Sequence, residues 1–248
     1  MAASDHYHRV VETVASNPLV TGVCATAVVG VFWAIRDYVD WKAFGTGGTP
    51  PTWLGYLRMT RIRLKHALST NNLLDASHLD QAGPSYLPAE SLPIRSGPRP
   101  TLMTRILPQR QRPEPIGPAT HARLSSLVRD LAAAYPHLLE IKPSRTEGGS
   151  TDGLYARSEL ESLNPVAGVL KGEIAHVHPQ ENSLHVWLSE RDAREVVEKG
   201  WGVRFPPLSG VPRGWVMVYA PRGEGEMDVV EGIVRAAVRW VVGVEAVR

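Results

Sequence analysis

Three histidines fall close together in the stretch EIAHVHPQENSLHVWL, residues 173–188. Residues 173–178 and 183–188 alternate in character around Pro179-Gln180-Glu181-Asn182, which is the pattern of a β-hairpin with a four-residue loop. With His178 opposite Ser183, antiparallel pairing sets His176 against His185 and Ile174 against Trp187. Side chains alternate along a strand, so Ile174, His176, His178, Ser183, His185 and Trp187 share one face. Ala175, Val177, Leu184, Val186 and Leu188 take the other, a core face. Imidazoles grouped in this way suit three roles. They can hold zinc, copper or iron. They can act as general base and hydrogen-bond donors near neutral pH. They can also be hydrogen-bonded sheet residues without chemistry. Glu173 is expected on the opposite face, which leaves only Glu181, in the loop, as a carboxylate able to reach the histidines.

The segment Gly200-Trp201-Gly202-Val203-Arg204-Phe205-Pro206 adds a pocket signal. Two glycines bracket an indole, and an arginine follows on a proline-restricted loop. Trp201 is expected as a flat wall, and Arg204 as a fixed positive charge near a planar, acidic ligand.

The surrounding pattern places these residues in an α+β domain with a largely antiparallel sheet and flanking helices. Residues 119–135 have a helical stripe of Leu124, Leu127, Val128, Leu131 and Tyr135, stopped by Pro136. Short extended pieces follow at 138–142, 154–157 and 169–170, then the hairpin. Ser189 and Asp192 open a helix that closes at Gly200. Residues 215–220, WVMVYA, have buried-strand length, and a last helix covers about 224–242.

Ahead of this domain, residues 19–35 carry no charge and end at Arg36-Asp37. With flanking Trp33, Tyr38 and Trp41 they predict one transmembrane helix. Arg36, Lys42, Arg58, Arg61, Arg63 and Lys65 follow the apolar run against Arg9 before it, which predicts a single-pass protein with its body in the cytosol. An endoplasmic-reticulum membrane is the expected location. Residues 53–68 read as an amphipathic helix on the membrane surface. A loop-rich arm with Arg95, Arg99, Arg105, Arg110 and Arg112 and no acid between Ser91 and Pro113 is expected to be solvated or membrane-facing. The expected organisation is an anchor at 1–45, a juxtamembrane helix and arm at 46–118, and the α+β domain at 119–248.

The formal net charge of +2 and the lack of aromatics among the arm's arginines argue against a nucleic-acid partner. The lone Cys24 excludes a disulfide framework and a cysteine metal site. No Gly-rich phosphate loop or G-x-S-x-G marks a nucleotide site or a serine nucleophile.

The segments GPRPTLMTRILPQRQ (97–111), GEIAHVH (172–178), SLHVWLSERDAREVVEKGWG (183–202) and WVMVYAPRGEGEMDVVE (215–231) resemble the fungal luciferase family and its non-luminous relatives. That resemblance implies a small membrane-associated enzyme that oxidises a 3-hydroxy-2-pyrone of the hispidin type, or a related polyketide, with molecular oxygen. It implies no flavin, haem or metal cofactor. In that frame His176 or His178 is the expected base, and His185 and Arg204 stabilise enolate and peroxide charge. Trp187, Trp201, Phe205 and Tyr219 are the expected substrate-binding residues. Phe205 departs from the family pattern, which has histidine there. Isomerisation or cyclisation of another enolisable polyketide, a metal-dependent dioxygenase and a non-catalytic membrane adaptor are the alternatives.

Overall fold

The computed structural model describes residue 14 and residues 16–87, 92–105 and 107–243. Arg9, used above for orientation, lies outside these residues. The chain divides into two compact units, residues 1–45 and 46–248.

The first unit holds helix α1 (Pro18–Phe44), 27 residues with Pro18 in the first turn. At 1.5 Å per residue it spans about 40 Å, and it is long and apolar enough to cross a membrane. It continues past the 19–35 apolar run because Arg36 to Phe44 contains no glycine or proline to stop it; Gly45 does.

The second unit opens with α2 (Trp53–Ala67), whose N-cap Thr52 accepts the Gly55 N–H at 3.2 Å. Tyr56 is buried, whereas Trp53, Leu57, Leu64 and Leu68 are exposed. The body is a six-stranded sheet: β1 (Leu139–Pro143), β2 (Asp152–Ala156), β3 (Glu173–Val177), β4 (Leu184–Trp187), β5 (Gly202–Arg204) and β6 (Trp215–Val218). Its order is β1-β2-β3-β4-β6-β5, and every neighbouring pair is antiparallel. The expected α+β architecture is therefore the observed one.

Alternation divides the sheet into two faces. Ala175, Val177, Leu184 and Val186 join the main core, against α3 (Pro118–Ala134) and α5 (Glu224–Val242). The buried stripe of α3 is Leu124, Leu127, Val128 and Leu131, and that of α5 includes Met227, Val230, Val234 and Val241. Between β4 and β5, α4 (Glu190–Glu198) starts where the Ser189 hydroxyl accepts the Asp192 N–H at 3.1 Å. The opposite face, near β5 and β6, gathers Val203, Met217 and Tyr219 with Leu73.

Two local expectations are corrected. Residues 165–170 form a 3-10 turn instead of a strand, because Asn164 caps it by accepting the Val166 N–H at 3.1 Å. The arginine arm is packed on the body rather than solvated. Arg95 is buried and donates to the Ala220 carbonyl at 2.7 Å and to Glu226 at 2.8 Å, while Arg99 donates to the Val197 carbonyl at 2.9 Å.

Since sheet, helices and arm form one compact unit, residues 46–248 expressed alone should fold and unfold in a single cooperative transition. Circular dichroism and tryptophan fluorescence during urea unfolding should give coincident curves, and separated transitions would contradict this.

Candidate active site

The β3–β4 hairpin pairs as its sequence pattern predicts, with His176 opposite His185, Ala175 opposite Val186 and Val177 opposite Leu184. The His178 N–H donates to the Ser183 carbonyl at 2.8 Å, extending the ladder to the turn. All three imidazoles are buried. Their rings sit 4.7–5.2 Å apart, centroid to centroid.

Two carboxylates join them where none was expected beyond Glu181. Glu147 arrives from the loop after β1, and its Oε1 lies 3.4 Å from His176 Nε2 and 3.8 Å from His178 Nε2. Glu173 begins β3, where a register shift opposite Leu154 and Tyr155 interrupts regular pairing. Its Oε1 meets His176 Nδ1 at 3.0 Å. Glu173 also accepts from the Ser144 hydroxyl at 2.6 Å, the Thr146 hydroxyl at 2.9 Å and the Tyr155 hydroxyl at 3.0 Å. On the other side, Glu181 Oε1 is 2.9 Å from His178 Nδ1 and accepts the Ser183 hydroxyl at 2.5 Å. Ligand atoms of Glu147, His176, His178 and His185 all lie within 4.8 Å of one another, close enough to hold a metal ion.

One cation sits among these groups. Arg110, from the arm, pairs with Glu147, approaches Glu181 at 3.7 Å and places Nη1 3.0 Å from His178 Nε2. Its neighbour Gln109 bridges His185 Nε2, at 3.3 Å, to the Arg204 carbonyl, at 2.8 Å.

Burial and charge pull the groups apart. Burial raises the Glu173 carboxyl, but hydrogen bonding and charge from His176 outweigh it, with Ser144 and Thr146, and hold it at about 2. For Glu147 burial is likewise overcome, by His176 and Arg110, and the group stays below the usual carboxylate range. Burial pushes Glu181 up to about 7 against the pull of Arg110 and Ser183. Burial lowers His176, yet Glu147 and Glu173 bring it above its ordinary value. His178 and His185 are driven well below theirs by burial together with nearby positive charge. Two imidazoles are therefore neutral bases at physiological pH.

Beside the cluster opens a cleft of about 350 Å³. His185, Glu147, Gln109, Arg58 and Arg145 are among its polar lining residues; Phe205, Trp215 and Leu208 are among its apolar ones. Trp215 stacks on His185 with centroids 5.5 Å apart and planes at 16°, and Phe205 meets the same ring edge-on at 5.3 Å. Gly47 and Gly48 border the opening. Gly148 has φ 64°, and a Cβ there would lie 2.5 Å from the Gly48 Cα, so glycine is required for the loop bearing Glu147 to approach this rim.

The sequence-predicted residues separate accordingly. His176, His178, His185 and Phe205 are brought together. Arg204 is not: it lies on β5, opposite Val216, so its neighbour Val203 shares the histidine face and Arg204 takes the other. Its guanidinium donates to the Asn71 side chain at 3.0 Å and the Asn72 carbonyl at 2.8 Å. Trp201 and Tyr219 flank Arg95 at 5.6 and 5.5 Å, and the Trp201 indole donates to the Pro93 carbonyl at 2.6 Å. Trp187 packs in the main core and faces a separate groove with Pro212 and Trp240. Spacing does not mark Glu147, Gln109 or Trp215 as site residues, and it marks Arg110 only as one of the arm's arginines. The signals available were the Gly148-Gly149 turn that follows Glu147 and the run of arginines free of acids.

Residues 171–237 match the Luciferase domain, the class to which this hairpin, β5, β6 and the start of α5 belong. Over a longer stretch the chain is 30% identical to a luciferase of Armillaria ostoyae, covering 90% of this chain and 88% of that protein. A luciferase of Armillaria gallica is 29% identical over the same shares, and one of Neonothopanus nambi 26% identical over 91% and 88%. The chain belongs to the fungal luciferase family. No solved structure matches it.

Arg110→Met leaves Glu147 and Glu181 buried without their cation. It should destabilise the protein by about 3–5 kcal/mol in urea unfolding. Arg129→Met, which removes an exposed pair with Asp152, should leave the midpoint nearly unchanged.

Proposed function

We propose that this protein is a membrane-anchored oxygenase acting on an enolisable 3-hydroxy-2-pyrone or a related polyketide. The observation that carries this reading is the cleft, which is lined by His185 and the Arg110-paired Glu147 together with Phe205 and Trp215. A planar substrate would lie against Phe205 and Trp215, with its acidic hydroxyl toward His185 and Glu147. The expected base is thereby revised: His176 and His178 lie beneath the cleft wall, whereas Glu147 and His185 line it. The enol proton passes to the Glu147 carboxylate, with His185 beside it in the wall, and the enolate carbon bonds to molecular oxygen. The peroxide formed closes on the adjacent carbonyl and collapses with loss of carbon dioxide. Arg110, paired with Glu147, is placed to offset the negative charge that develops. The family's luciferase-like function supports the reading, as does the similarity to luciferases along most of the chain. We propose further that α1 is a single-pass anchor with residues 46–248 in the cytosol, a reading supported by its length and by the basic residues that follow it.

The catalytic test mixes the purified full-length chain with a hispidin-type 3-hydroxypyrone and records oxygen uptake and light together. Turnover should fall by about 10²–10⁴ in Glu147→Gln and His185→Ala while circular dichroism is preserved. Wild-type protein that leaves every such pyrone unchanged would sink the oxygenase reading. Conversion without oxygen uptake would instead favour isomerisation or cyclisation.

The anchor test uses alkaline carbonate on isolated membranes. The full chain should stay in the pellet, and a chain lacking residues 1–45 should be extracted.

A further inference from the structure

Three ring nitrogens face one another at the centre of the site. His176 Nε2 and His178 Nε2 are 3.2 Å apart, His178 Nε2 and His185 Nδ1 3.0 Å, and His185 Nδ1 and His176 Nε2 3.3 Å. Each ring's outer nitrogen is held by an acceptor. His176 Nδ1 meets Glu173, His178 Nδ1 meets Glu181, and His185 Nε2 meets the Gln109 amide oxygen. A carboxylate or amide oxygen only accepts, so the outer nitrogens carry the hydrogens and the inner ones of neutral rings present lone pairs. Outer partners that fix the tautomer and orientation in this way are the usual supports of metal-ligating histidines.

The inner triangle has the dimensions of a coordination face. The circle through its corners has a radius of about 1.8 Å, so an ion about 0.9 Å off the plane sits about 2.0–2.1 Å from all three nitrogens, the normal metal–imidazole distance. Glu147 Oε1, at 3.4 and 3.8 Å from two of these nitrogens, is close to the roughly 3.3 Å ligand–ligand edge of a tetrahedron with such bonds.

We propose, against the metal-free expectation drawn from the sequence, that Glu147, His176, His178 and His185 bind one divalent first-row transition ion. Three imidazoles and one carboxylate suit iron, copper or zinc. Binding takes the His178 lone pair that Arg110 Nη1 otherwise meets, and Arg110 keeps its contacts with Glu147 and the Gln109 carbonyl, the latter at 3.0 Å. Because His185 and Glu147 line the cleft, the ion's remaining positions open toward it. A part for the ion in oxygen chemistry rests on the function proposed above; the ion site rests on the ligand geometry alone.

The test uses the full-length chain in detergent, purified through a tag without histidines and in buffers without chelator. Elemental mass spectrometry should find about one equivalent of transition metal per chain. Protein stripped by chelation should take up one equivalent of Co²⁺ and gain visible absorption bands. His178→Ala should abolish them. Glu173→Gln, which replaces the carboxylate that orients His176 by an amide of the same shape, should weaken cobalt binding by about 10–100-fold with the fold intact by circular dichroism. Folded wild-type protein that carries no stoichiometric metal and gives no cobalt bands overturns the ion site, and if it still oxidises pyrone the proposed function survives. A metal-loaded protein that leaves pyrone unchanged does the reverse.

Discussion

Arg110 is the cation around which the site's buried charges are arranged. It is 3% exposed at the side chain, and Glu147 and Glu181 beside it are 6% and 0% exposed. Ions removed from water to this degree persist only when paired and hydrogen-bonded, because the desolvation cost is otherwise several kcal/mol each. The packing of the arm on the body follows from this. Residues 109–112 must run beneath the hairpin for Arg110 to meet its carboxylates, and the Met103 N–H to Arg110 carbonyl bond at 2.9 Å ties that strip to the preceding segment. Gln111 continues the same strip by accepting the Ala220 N–H at 2.9 Å.

The sheet then serves two solvents at once. Its helix face, apart from Arg204 at the β5 edge, is apolar and supplies the hydrophobic stabilisation, with Leu124, Val186, Ile233 and Val234 fully buried. Its other face is buried as well, beneath the arm, the loop of residues 144–151 and α2, whose Ile62 packs against the cluster of Val203, Met217 and Tyr219. That arrangement allows a polar cluster to be enclosed without an unsupported backbone, since loop N–H groups such as those of Arg145 and Thr146 donate to Glu173 at 3.1 and 3.2 Å.

What the sequence makes legible is what local periodicity encodes. The hairpin register, the histidine face, the stripe of α3 and the Ser189 cap follow from spacing alone, and the structure has them. Arg204 shows where this fails. Nothing nearby reveals that Gly202–Arg204 is a strand, because its partner β6 lies beyond a proline-rich loop and the pairing is non-local. Once it pairs, alternation sends the arginine away from the histidines. Glu147 and Arg110 fail for a related reason. They reach the site from 29 and 66 residues before His176, and only tertiary packing brings them there. Glu173 was assigned by alternation to the helix face, yet it opens β3 next to a register shift, where strict alternation no longer holds.

The loop between β5 and β6 supplies Phe205, Leu208 and Val211 to the cleft and leads into Trp215, whereas His185 and Glu147 come from elements that it does not touch in sequence. Shape and chemistry are thus inherited through different segments. Changes of length or residue type within 205–214 can remodel the slot for broader, narrower or greasier molecules without disturbing the β3–β4 register or the Arg110 pairing. The wall of the cleft and the buried cluster are thus separable modules, each free to vary without rewriting the other.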